Sequence, residues 1–405
     1  MFFNDVDEAQ PDPIFGLAGA FNADLREKKV NLMVGIYKDE QLRSEIFLSA
    51  KRAKDLIFSK DLVANYLPID GLREMVDLLG PVLFGQKLWL EEQRRIYGAH
   101  TAGGTAALRV GAEFFSEFVS PRVCIPNQTW PNHRLIFERA ACEVTSYPYY
   151  NAEKKGFDLE AMIAFLSELP EKTVIVLHAC CHNPTGCDPK PEEWKAISRV
   201  VKEKKLFPFF DCAYQGLGDG LEQDSEALRM FLKDGHEMAI AYSCSKNFSM
   251  YCQRVGTLFI VGENGGIKER VGSQVQRIIR AIYSNPPAHG ARIVREILIE
   301  GDLTELWHKD LQALRHRLNL MRETLVQRLL FTAKQMNFEY LKKHKGMFSF
   351  VDLNKSQVQL LIEKYGIYLS GAGRINISGL TTKNIDYVAN SIVNVQREST
   401  TTNQS

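Results

Sequence analysis

At 405 residues the chain is long enough for two domains, or for one large α/β domain with an appendage. Its 50 basic and 49 acidic residues leave a formal charge of +1, and like charges gather only in short pieces such as Lys202 to Lys205, so neither nucleic acid nor an anionic membrane is expected as a partner. No apolar run approaches the ~18 residues a membrane span needs, and the opening MFFNDVDEAQ lacks a basic leader, so a protein that is neither exported nor membrane-embedded is expected.

Eight cysteines, none in a CxxC pair, fit reduced thiols and a cytoplasmic location. The polar C-terminus RESTTTNQS is expected to be disordered.

In chain order, TAGGTAALRVGAEFF opens a helix near Thr105 after a glycine turn. The free N–H groups of Gly104 and Thr105 suit a phosphate there. Short apolar, β-prone runs follow at Arg122 to Pro126, Thr173 to Cys180, Leu206 to Asp211, Met238 to Ser243 and Gly256 to Gly262. Between two of them, PEEWKAISRVVKEK puts Trp194, Ile197 and Val201 on one helical face. Alternating strands and helices predict an α/β fold whose mostly parallel sheet is flanked by helices. From Leu311 a stripe of Leu314, Leu318, Met321 and Leu325 predicts a long helix, followed by a smaller α+β unit. The expected division is a large domain over 43–310 and a small one built from 1–42 and 311–405.

Ligands of parallel sheets bind beyond the carboxyl ends of the strands, and the residues there form one set. NQTWPNH offers the ring of Trp130 and the imidazole of His133. HACCHNPTG turns Asn183 toward a ligand. Its His178, Cys180 and His182 would share a strand face, yet no second cluster has metal spacing, so no metal is expected. FFDCAYQG ends an apolar strand in Asp211, with Tyr214 three residues on. SCSKNFSMYCQRVG then supplies Ser243, Ser245, Lys246 and Arg254.

Pyridoxal phosphate needs this whole list. It takes a lysine for its Schiff base (Lys246), a carboxylate for its ring nitrogen (Asp211) and donors for its phenolic oxygen (Tyr214 and Asn183). A flat ring for its face (Trp130) and a phosphate cradle (Arg254, Ser243, Ser245, Thr105 and the helix start) complete the set.

These motifs, with PDPIFGLAGAF, NLMVGIYKDE, NYLPIDGL, YSNPPAHGARIV, GMFSF and GRINISGL, span nearly the whole chain. In them the sequence resembles the aspartate and aromatic amino acid aminotransferases, class I of the fold-type-I pyridoxal phosphate enzymes. The resemblance implies that Arg374 grips the substrate α-carboxylate and that Gly35 lets the main chain approach the substrate, which Trp130 and Asn183 also contact. It further implies a homodimer with shared active sites, in which Tyr66 and Arg280 reach across from the neighbouring subunit, to the phosphate and to a side-chain carboxylate. Substrates would be amino acids and 2-oxo acids, exchanged by a ping-pong mechanism. Gly103 is similar to the aromatic-preferring relatives, whereas Asn65, Thr105 and Asn285 are similar to the aspartate-preferring ones. The expectation is therefore glutamate and 2-oxoglutarate as one pair, with aspartate or an aromatic amino acid as the other. An aromatic aminotransferase with little aspartate activity, or a lyase or decarboxylase on the same fold, is the alternative.

Overall fold

A computed structural model describes residues 2–9, 13–60, 65–371 and 373–402. Pro11 and Asp12 of the N-terminal motif and the last three residues of the tail lie outside the described residues.

The chain forms two compact units. The larger comprises Ser44–Asn319 and Lys343–Gly346; the smaller comprises Met1–Arg43, Leu320–Lys342 and Met347–Ser405. Residue 310 falls inside a single helix, Gly301–Thr332.

In the larger unit seven strands build one sheet: β1 (Ile96–Thr101), β2 (Arg122–Pro126), β3 (Glu143–Tyr147), β4 (Val174–His178), β5 (Phe207–Cys212), β6 (Met238–Ser243) and β7 (Gly256–Val261). Their order is β1-β7-β6-β5-β4-β2-β3. Only β7 runs antiparallel to its neighbours β1 and β6; the other pairings are parallel, so the predicted mostly parallel sheet is present. All residues of β1, β4, β6 and β7 are buried, as befits strands covered on both faces. One core packs the helix Gly104–Phe118, through Ala107, Leu108 and Phe115, against Val123, Val176, Phe209 and Ala241 of the sheet.

The flanking helices follow local chemistry. In Pro191–Glu203 a proline starts the first turn and the Glu193 carboxylate accepts the Lys190 N–H at 2.6 Å, while Trp194, Ile197 and Val201 are buried at the predicted spacing. The tail departs from expectation, because the helix Ile385–Thr402 continues through the polar stretch from Arg397. Val388, Ile392 and Val395 on its buried side carry that helix onward.

The smaller unit pairs Val30–Asn31 in parallel with Ile367–Tyr368, and Phe348–Phe350 antiparallel to Arg374–Asn376. The Asn376 N–H donates to the Leu32 carbonyl at 2.8 Å, so residues near the N-terminus are stitched into this unit.

Candidate active site

The carboxyl ends of β4, β5 and β6 converge on a buried set of charges. Asp211 lies in β5, beside His178 of β4 in register and Ala241 of β6. His133, fully buried on the helix Asn132–Arg139, donates its Nε2–H to Asp211 Oδ2 at 2.9 Å. Thr129 Oγ1 lies 2.8 Å from both His133 Nδ1 and His178 Nε2, extending the network away from the carboxylate. Burial pushes the Asp211 carboxyl up, but the hydrogen bond from His133 and the electrostatic influence of His133 and the Lys246 amine outweigh it and hold the group below its usual range. His178 and His182 are driven well down, chiefly by burial, and so are neutral imidazoles.

Lys246 follows β6 by three residues. As a whole residue it is only partly covered, yet its amine is enclosed, with Nζ 4.9 Å from the centre of the Tyr214 ring. Burial lowers its pKa from 10.5 to about 8; Arg254 adds to the fall and Asp211 opposes it. A lysine amine with its pKa lowered this far has an appreciable neutral fraction near physiological pH, and the neutral form is a nucleophile and a base. Asn183 Nδ2 donates to Tyr214 Oη at 3.4 Å, which brings the amide and the phenol of the predicted set together. Trp130 packs edge-on to His133, with ring centres 5.4 Å apart.

An anion cradle stands beside the amine. Gly103 turns the chain at φ +86 into the helix Gly104–Phe118, presenting the N–H groups of its first turn. A Cβ on Gly103 would stand 2.5 Å from Arg254 Nη2, and one on Gly104 would stand 2.9 Å from Ser243 Cβ, so two glycines keep the cradle open. Arg254 Nη1 donates to Ser245 Oγ at 3.4 Å, and Ser243 Oγ to Ser245 Oγ at 3.0 Å. Helix start, guanidinium and two hydroxyls are the donors that a phosphate dianion needs. With a depressed lysine on one side and an ionised carboxylate on the other, the residues present fit pyridoxal phosphate.

The remaining predicted residues lie elsewhere. Tyr66 is 93% exposed, and Arg280 is exposed with its guanidinium on Ser284 Oγ. In the smaller unit, buried Arg374 donates from Nη2 to the Met33 carbonyl at 2.7 Å and lies over the Phe348 ring at 4.5 Å. Gly35 faces the same ring, since a Cβ there would sit 3.1 Å from Phe348 Cζ. The strand face expected to join His178, Cys180 and His182 does not form, because β4 ends at His178 and Cys181 turns the chain at φ +51.

Sequence reasoning noticed His133 only as an imidazole near Trp130 and missed its bond to Asp211, along with the Thr129 bridge. The proline turn before His133 was the one local signal; 78 residues separate it from Asp211.

Comparison with known proteins identifies the family. Residues 27–392 match the family model "Aminotransferase class I and II". The aspartate aminotransferase of Escherichia coli (strain K12) is 41% identical over 394 residues, covering 97% of this chain and all of that protein. An aromatic-amino-acid aminotransferase from Burkholderia pseudomallei, solved covalently bound to pyridoxal phosphate, superposes with a TM-score of 0.94 at 39% identity, covering 98% of this chain and 99% of that one. The cytoplasmic aspartate aminotransferase of Saccharomyces cerevisiae gives a TM-score of 0.94 at 35% identity, with 98% of each chain covered. The family match over residues 27–392 together with these relatives establishes that the chain belongs to the class I and II aminotransferases.

Proposed function

We propose that this protein is a pyridoxal-phosphate-dependent aminotransferase that passes the amino group of aspartate or an aromatic amino acid to 2-oxoglutarate in two half-reactions. The observation that carries the reading is the enclosed Lys246 amine, with a pKa of about 8, sharing its pocket with buried, ionised Asp211.

Pyridoxal phosphate, when bound, supplies a conjugated cationic ring that delocalises the electron pair left when a substrate Cα–H breaks. Lys246 would carry the cofactor and, once displaced by the substrate amine, take the Cα proton on Nζ. Asp211, kept ionised by His133, would hold the ring nitrogen in its protonated form. Tyr214 and Asn183 would donate to the phenolic oxygen, and Trp130 would cover a ring face. Arg254, Ser243, Ser245 and the N–H groups of Gly104 and Thr105 would hold the phosphate. From the family resemblance, Arg374 takes the substrate α-carboxylate as a bidentate partner and Gly35 admits the substrate to the main chain.

The proposed assembly is a homodimer in which Tyr66 reaches the partner's phosphate and Arg280 a substrate side-chain carboxylate; the exposure of Tyr66 supports a role outside its own chain. All eight cysteines are free, which supports the cytoplasmic reading, and no described helix is long and apolar enough to cross a membrane.

The test mixes cofactor-loaded protein with aspartate, tyrosine and phenylalanine separately. Visible absorbance of the bound cofactor is followed, with assays for 2-oxo acid, carbon dioxide and ammonia. Stoichiometric 2-oxo acid, with recovery of the visible band on adding 2-oxoglutarate, is expected. Release of carbon dioxide or ammonia instead would overturn the reading.

A further inference from the structure

Just beyond β4 two adjacent cysteines and a carboxylate are buried together. In extended chain, successive side chains point to opposite faces. Cys181 breaks that alternation, standing at φ +51 in the left-handed region that residues with a Cβ rarely occupy. As a result the sulfurs of Cys180 and Cys181 and a carboxylate oxygen of Asp224 all lie within 4.8 Å of one another. The Cys181 thiol also approaches the Tyr214 carbonyl oxygen, at 3.9 Å.

The cluster is held from outside. Asp188 accepts the Cys181 and His182 N–H groups at 2.7 and 2.8 Å, fixing the strained turn. Asp224 Oδ2 accepts the N–H groups of Gly216 and Gly218 at 2.8 and 2.9 Å, and Oδ1 accepts that of Asp219 at 2.8 Å. Three bonds leave acceptor capacity on a carboxylate, which offers about four lone-pair sites. Two sulfurs and a carboxylate oxygen thus converge from fixed backbone, with the Tyr214 carbonyl oxygen beside the Cys181 sulfur. A tetrahedral zinc with bonds of about 2.3 Å to sulfur and about 2.1 Å to oxygen would need a modest contraction of this set, and a larger soft ion less.

We infer that Cys180, Cys181 and Asp224, with the Tyr214 carbonyl, form a site for a thiophilic divalent cation of the zinc and cadmium class, distinct from the transamination chemistry. Binding forms two sulfur–metal bonds and releases two thiol protons to solvent, with no change of oxidation state. Cys181 is two residues from Asn183, and Tyr214 contributes both the carbonyl oxygen and the phenol that Asn183 meets. Occupancy therefore restrains this pair and slows turnover, a consequence that rests on the proposed function; the binding itself does not.

The test titrates the cofactor-loaded protein with Cd²⁺ in a Cys252→Ser background, which removes the exposed thiol, following sulfur-to-cadmium ultraviolet absorption, bound ion by equilibrium dialysis, and turnover. One ion per chain is expected, with turnover falling along the same saturation curve. Cys180→Ser and Cys181→Ser should each weaken binding by about tenfold or more, with circular dichroism reporting the fold. Should Cys181→Ser not fold, Cys180→Ser alone decides. No sulfur-to-cadmium band at micromolar ion, or a band unchanged in the folded serine variants, would overturn the site; saturation without loss of turnover would overturn the restraint.

Discussion

The two ends of the large sheet hold similar residue types in different physical states. At the amino-terminal end, a cavity of about 990 Å³ is lined by Phe114, Phe118, Phe207, Lys202, Lys205 and His236, among others. Polar groups at and beside it have partners of their own: Ser198 Oγ donates to Asp234 Oδ2 at 2.5 Å and lies 2.9 Å from His236 Nε2, and Lys205 pairs with Glu171 at 2.9 Å in solvent. Burial takes His236 down to about 4, so no buried pair of opposite charges is maintained there. At the carboxyl end, Asp211 and Lys246 are desolvated and each is shifted by the other. Reactivity follows from enclosed groups whose charges depend on one another, and the volume of a void is a poor guide to it.

The comparison can be broken most severely at the amine. Replacing Lys246 by alanine should lower transamination by at least about 10⁴-fold, combining loss of the attachment point and the base; turnover with aspartate and 2-oxoglutarate measures it. Asp211→Asn, which keeps the shape and removes the charge, should cost about 10³-fold in kcat. His133→Leu removes the donor that keeps Asp211 ionised, and about a tenfold loss in kcat/KM is expected. The visible spectrum of the bound cofactor should become pH-dependent in a range where the parent is flat.

A pH experiment sharpens the same contrast. Capture of pyridoxal phosphate by cofactor-free protein needs a neutral Lys246. Since burial has lowered its pKa, the rate should rise through about pH 8 and level off above it, rather than climbing to 10.5 as for an ordinary lysine. Linkage has the same sign: the unfolded chain holds this proton to higher pH than the folded one, so this group's contribution to stability rises between those two values. The smallest effect on chemistry belongs to the opposite end. Ser198→Ala should cost about 1–3 kcal/mol in thermal or denaturant stability, because Asp234 and His236 lose a buried partner, yet leave kcat/KM within about twofold.

How far these features were legible depended on how local their causes are. Strands β2 and β6 could be read to the residue because they are unbroken apolar, β-prone runs. Strand β1, IYGAHT, was not singled out: its burial depends on Gly98 admitting Val76 and Phe259, where a Cβ would stand 2.5 Å from Val76 Cγ1. Strand β3 is half exposed and polar, and is a strand through its pairing with β2. Lys246, Asp211 and Arg254 were legible because each stands at the end of an obvious strand: Asp211 near the end of β5, Lys246 just past β6 and Arg254 just before β7. The His133–Asp211 bond and the turn at Cys181 were not, since the first joins distant segments and the second is a backbone conformation without a glycine to announce it.

The proposed chemistry depends on Lys246, and the most direct measurement asks where the cofactor attaches. Protein loaded with pyridoxal phosphate is reduced with borohydride, digested, and the modified peptide located by mass spectrometry. One pyridoxyl group per chain, on the peptide carrying Lys246, is the predicted result. A group on any other lysine, or none with the protein folded and saturated, would contradict it.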